Sequence, residues 1–214
     1  VKYLIGICLE LELNDSNFIN ILEYAAQSGN LEMVKFLIEN YPRLKTSDLK
    51  SRNILHYAAQ SGNLEMVKFL IEKYPELNIL ALDGDGQNIL HYATQSGNLE
   101  LVKYLIEKYP ELNVTDYCGW NILFHALESD NLELVKYLIE NYPQLNVLDK
   151  NNRNILHFST LIGNLELVRY LLENYPELNI ADNDGQYIYH YAAKKGYIEL
   201  LRYFVENCKE LGLK

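Results

Sequence analysis

Two short patterns recur at a nearly fixed interval along the 214-residue chain, and they constrain its fold more than any other feature. Tyr-Pro stands at Tyr41-Pro42, Tyr74-Pro75, Tyr109-Pro110, Tyr142-Pro143 and Tyr175-Pro176, and these pairs hold all 5 prolines. Asn-Ile-Leu begins at Asn20, Asn53, Asn88, Asn121 and Asn154. Successive copies are 33 residues apart, except for one step of 35 near Ile79-Leu80-Ala81-Leu82. A period of this length denotes stacked copies of one small unit, each touching only its neighbours, rather than one globular core.

The third copy shows what one unit does. Asp83-Gly84-Asp85-Gly86 is a turn cluster whose glycines permit positive φ. Asn88 is placed to cap a first helix through Ile89, Leu90, Tyr92, Ala93 and Thr94. Gly97 breaks that helix and Asn98 caps a second. Leu99, Val102, Leu105, Ile106 and Tyr109 then fall on one helical face, with Glu100, Lys103, Glu107 and Lys108 on the wet side. Pro110 ends the helix by pushing the preceding residue out of the α region. Leu112-Asn113-Val114 is expected to lead out as an extended strand.

Turn, helix, turn, helix and extended return resemble the ankyrin repeat. The family's Thr-Pro-Leu-His-x-Ala series stands here as Asn53-Ile54-Leu55-His56-Tyr57-Ala58, followed by Ala59-Gln60-Ser61-Gly62. Asn-Ile replaces Thr-Pro, and Tyr-Pro replaces Gly-Ala at the second helix end. The resemblance spans the chain and implies an all-α, ankyrin-like α-solenoid of helix–turn–helix repeats with hairpin-like turn fingers. Its register gives a single array over 1–214: a half repeat 1–14, then repeats 15–47, 48–82, 83–115, 116–148, 149–181 and 182–214. The opening residues align inside a second helix, so the chain is expected to be part of a longer protein. Tyr187, Tyr197 and Cys208-Lys209 replace the usual residues of the last copy, which reads as a cap.

The formal net charge of −10 speaks against a nucleic-acid or anionic-membrane partner, since phosphate binding needs a basic face. Cys8, Cys118 and Cys208 are scattered, which suits a reducing compartment and a cytoplasmic location. No apolar run approaches the roughly 20 residues of a membrane-spanning helix.

No catalytic, cofactor-binding or metal-binding group is expected. His56, His91, His157 and His190 occupy one slot of successive helices about 8–10 Å apart, too far to share an ion bound at about 2 Å. The resemblance implies instead that these rings tie one copy's turn to the next. The Asp-Gly turns lack the bidentate Glu of a calcium loop. The aromatic slot Phe36, Phe69, Tyr104, Tyr137, Tyr170 and Tyr203 reads as core or half-core packing.

The resemblance implies that partners meet the turn tips and the exposed side of the first helix. Departures between copies mark where those positions are free to serve one. Gln27-Ser28, Gln60-Ser61 and Gln95-Ser96 are uniform, and then become Glu128-Ser129, Leu161-Ile162 and Lys194-Lys195. At the tips, copy four carries Tyr117, Cys118 and Trp120, and copy five carries Lys150 and Arg153. Tyr, Trp and Arg are common interface anchors. The expected surface lies on the concave side of copies four to six: Tyr117, Cys118, Trp120, Glu128, Lys150, Arg153, Leu161 and Ile162, rimmed by Lys194 and Lys195. Alanine at Trp120 or Leu161 is expected to spare the melting curve. Asp130 replaces the inter-helix glycine of copy four, a local weak point.

The function expected is a non-catalytic, monomeric scaffold binding another protein. Two alternatives stand beside it: the targeting module of a larger enzyme, and a host-directed effector of an intracellular microbe acting in the host cytosol. Asn78, Asn113 and Asn179 also lie in Leu-x5-Glu-Leu-Asn series that resemble the sites of ankyrin-directed asparaginyl hydroxylases.

Overall fold

The computed structural model describes residues 21–41, 52–112, 114–145 and 148–207. The expected half repeat 1–14, the cap at Asn20, Cys8, Asn113 and Cys208-Lys209 lie outside the described residues. Among those described the chain is all-helical. Its helices pair as α1 (Ile21–Gln27) with α2 (Leu31–Asn40), α3 (Ile54–Gln60) with α4 (Leu64–Lys73), and α5 (Ile89–Ser96) with α6 (Leu99–Lys108). Then follow α7 (Ile122–Ala126) with α8 (Leu132–Asn141), α9 (Ile155–Ile162) with α10 (Leu165–Asn174), and α11 (Ile188–Lys195) with α12 (Ile198–Asn207). Two compact units divide the chain, Val1–Cys118 and Gly119–Lys214.

In the first unit α1, α3 and α5 lie side by side as inner helices, each backed by its outer partner. In the second, α7, α9 and α11 do the same. Small residues allow the close approach: Ala58, Ala59, Ala93, Ala126 and Ala192 are all fully buried. The outer helices α2, α4, α6, α8 and α10 each start at an asparagine whose Oδ1 accepts from the third residue on, as Asn98 does from Leu101 N–H (2.9 Å). These same five end at the Tyr of Tyr-Pro, whose N–H closes the last turn, Tyr175 onto the Leu171 carbonyl at 2.8 Å. The outer helices bury a wider arc than periodicity suggests. Leu101 is fully buried although the expected face omits it, while Leu99, Ile106 and Tyr109 are half-buried.

Asn113, at the centre of the expected extended return, lies outside the described residues, and the chain just before the equivalent segments turns. Pro143–Leu145 and Pro176–Leu178 are 3-10 turns, and among the described residues no strand forms there. Burial of Leu145 and Leu178 draws the chain inward just after each proline. The outer aromatic slot is half-core as expected. Tyr137 meets Tyr142 edge-on at 6.0 Å, and Lys136, paired with Glu133 (3.1 Å), lies 5.0 Å from the centre of the next copy's Tyr170 ring.

Candidate functional site

The inner helices α3, α5 and α9 are fixed at their finger ends by a repeated Asn–His cap. In copy five, Asn154 Oδ1 accepts from Leu156 N–H (3.0 Å), Asn154 N–H donates to His157 Nδ1 (3.2 Å), and Asn154 Nδ2 donates to the Leu178 carbonyl (2.8 Å). Asn53 and Asn121 reach Asn78 and Leu145 carbonyls in the same way. Because Nδ1 accepts, the imidazole proton is on Nε2, and His56 Nε2 points it at the Ala81 carbonyl (3.2 Å). Burial holds the pKa of His56 and His157 below the usual value, against smaller upward pulls from neighbouring acceptors and aspartates. His56 is thus a neutral structural link from one copy to the next.

The fingers above these caps close on an aspartate with a variable partner. Tyr92 OH donates to Asp83 Oδ2 at 2.6 Å, and Tyr191 OH donates likewise to Asp182 Oδ2. Burial, reinforced by that carboxylate, pushes the Tyr191 hydroxyl up to about 12. In copy five the tyrosine is Phe158, which has no hydroxyl. There Arg153 supplies the donors, Nε and Nη2 to Asp149 Oδ2 at 2.9 and 2.7 Å, with its guanidinium 4.8 Å from the centre of the Phe158 ring. Burial raises the Asp149 pKa, but the arginine and backbone donors outweigh it and hold the carboxyl below its usual value.

Trp120 occupies the slot of Arg52 and Arg153 in copy four. Its ring lies 5.8 Å from Phe124 and 5.3 Å from Phe158, which themselves meet at 4.9 Å. Trp120 is half-buried in that cluster. Truncating it therefore removes packing, and the expectation of an unchanged melting curve does not survive this geometry. Arg153 is likewise tied into the finger.

The other expected site residues of the second unit are open. Glu128, Lys150, Lys194 and Lys195 are exposed, Leu161 is half-buried and Ile162 is 48% exposed. Leu161 and Ile162 end α9; Lys194 and Lys195 hold the same register on α11, the inner helix packed beside it. Tyr197, missed as a functional residue, sets this end. Its hydroxyl donates to the Leu161 carbonyl (3.1 Å) and its ring covers Gly163, where a Cβ would come within 2.9 Å. The replacement of the usual Asn by Tyr was the available signal. Lys150 is on the finger, where its carbonyl accepts from Asn183 Nδ2 (3.1 Å).

In the first unit, Tyr117 and Cys118 are exposed on their finger. Tyr117 is 71% exposed, yet its N–H donates to the Asp85 carbonyl (3.0 Å) and its ring lies on Gly86. A Cβ at Gly86 would stand 2.5 Å from that ring. The aromatic is presented from a fixed seat.

Among the described residues no three acidic, histidine or cysteine side chains are grouped to hold a metal, and no helix is long and apolar enough to cross a membrane. An open groove between α8 and α10, lined by Lys136, Arg169 and Tyr170 among others, has these cations already engaged with Glu133, Tyr170 and Tyr203.

A family model described as ankyrin repeats (3 copies) matches residues 1–81, 77–149 and 123–213. No curated protein matches the chain. Among solved structures, a chain in the complex of the predatory endopeptidase Bd0816 from Bdellovibrio bacteriovorus with immunity protein Bd3460 is 20% identical, with a TM-score of 0.66 over 91% of this chain and 99% of that one. The ankyrin repeat domain of Bcl-3, of the IkappaB protein family, is 23% identical, with a TM-score of 0.62 over 88% and 86%. At these identities the likeness carries the fold and not the partner.

Proposed function

This chain belongs to the ankyrin repeat family, and we propose that it is a non-catalytic scaffold that captures a partner protein on the inner-helix and finger surface of its second unit. Ankyrin repeats generally mediate protein–protein interaction, which sets the class. The observation that carries the location is the change at the ends of the inner helices. Ser28, Ser61, Ser96 and Ser129 each return a hydroxyl hydrogen bond to a carbonyl three residues back, at 2.7–2.8 Å. Ile162 and Lys195 hold that slot in copies five and six and give up the bond. The fold is served by serine there; an aliphatic and an ammonium facing water serve contact.

The finger residue Lys150 and Glu128, in the turn that ends α7, border this surface, and Trp120 and Arg153 stiffen the opposite end of the same helices. A photo-crosslinking residue placed at Ile162 should give discrete adducts in a lysate, and one placed at Glu133 on the outer helix α8 should give few. Equal labelling from both positions would overturn the assignment.

A further inference from the structure

We propose that the ligand of this inner surface is an acidic polypeptide segment carrying an aliphatic or aromatic side chain, an inference that rests on the protein-binding reading above. Cations of the second unit divide into two groups. Lys136 is paired with Glu133, Arg153 with Asp149, and Arg169 lies over the Tyr203 ring at 5.4 Å. Lys150, Lys194 and Lys195 are exposed and make neither an ion pair nor a ring contact among the described residues; Arg202, on the outer helix α12, is the other such cation. So in a chain of net charge −10, three uncompensated ammonium groups stand on the finger and inner-helix side.

The acids of this unit lie mostly elsewhere. Glu133, Glu140, Glu166, Glu173, Glu199 and Glu206 are exposed on the outer helices. On the inner and finger side stand Glu128, Asp130 and Asp184, with Asp149 and Asp182 held inside their fingers by Arg153 and Tyr191; Asp130 accepts from Asn164 Nδ2 at 3.1 Å. An acidic chain approaching the outer helices meets like charge; one approaching the ends of α9 and α11 meets Lys194 and Lys195. Lysines in the last turn of α11 also offset the negative end of its dipole, but either one would serve for that, and α1, α3, α5 and α9 carry no basic residue in that turn.

The apolar contact sits beside the charge. Ile162 is one register position from Leu161 and directly across from Lys195 on the neighbouring helix, about 8–10 Å away. The Tyr197 hydroxyl on the Leu161 carbonyl and its ring over Gly163 hold this end of α9 in place, so little ordering is required when a side chain docks. A ligand residue seated on Ile162 places acidic neighbours within reach of both lysines.

A random peptide library panned on the intact chain tests this, with Ile162→Ser and the double change Lys194→Glu/Lys195→Glu as comparisons, each first shown to melt as the parent does. The expected peptides are net negative with an apolar residue. They should lose affinity at least about tenfold on the charge-reversed chain, lose affinity on Ile162→Ser, and weaken as salt rises. Neutral or basic peptides that still depend on Ile162 would overturn the acidic ligand and leave the inner surface standing as a binding site. Peptides indifferent to both changes would overturn the two together.

Discussion

At the scale of single residues, one finger aspartate is satisfied in two different ways, and the difference is a pair of side chains. Copies three and six combine Gln87 or Gln186 with a tyrosine hydroxyl on the aspartate; copy five combines Arg153 with Phe158. Each combination gives the carboxylate one strong side-chain donor group. Arg153→Gln alone leaves Asp149 without it and should cost about 1.5–3 kcal/mol, the range for a hydrogen bond to a charged group. Phe158→Tyr added to it recreates the pairing of copies three and six and should recover most of that loss. Urea unfolding of the two single variants and the double variant measures the coupling directly. Simple additivity of the single effects would show that the two residues do not share the carboxylate.

At the scale of elements, helix starts and stops were legible because each is set by one residue's local chemistry. The asparagine caps, the left-handed glycines and the Tyr-Pro stops stand where the repeat spacing puts them. Leu101 was not legible as core because an outer helix meets its own inner partner and its neighbours in the stack, which widens the buried arc beyond one stripe. The 3-10 turns after Pro143 and Pro176 were missed because they depend on tertiary burial of Leu145 and Leu178. Ile162, Lys194 and Lys195 could be found by comparing copies. The seat of Tyr197 could not, since it depends on the space above Gly163. Asp130 was readable as a departure, and the structure shows what it does: φ is +53°, and the inner helix α7 is only 5 residues long before a 3-10 turn. A left-handed conformation costs a side-chain-bearing residue roughly 1–2 kcal/mol, of which aspartate recovers part by local hydrogen bonding. The bond lost with Asp130 is the exposed one to Asn164, worth little. Asp130→Gly should therefore stabilise the chain by about 0.5–1 kcal/mol. A lower melting temperature for that variant would mean that the Asn164 contact outweighs the backbone.

At the scale of the whole molecule, repetition multiplies any property of the junction between copies, and the buried neutral histidine is such a property. His56 in the first unit and His157 in the second are both fully buried with Nδ1 accepting from the cap asparagine, so each is built for the neutral ring. Burial places their folded pKa below the ordinary 6.5. Protonation therefore favours the unfolded chain. The stability they contribute is whole above about pH 6.5 and is lost as the pH falls through the folded values. Asp149 and Asp182, whose carboxyls are held below their usual 3.8, keep their contribution over that interval and lose it only in stronger acid. Histidine junctions in both units should make each unit acid-sensitive over the same range. The urea midpoint should accordingly drop between about pH 7.5 and pH 5.5, well before carboxylates titrate. Replacing His157 by Gln should flatten part of that slope even as it lowers the midpoint at neutral pH, because the amide side chain has no charge to gain. A midpoint that holds or rises between the two pH values would show that the imidazoles are not the groups that tie stability to protons.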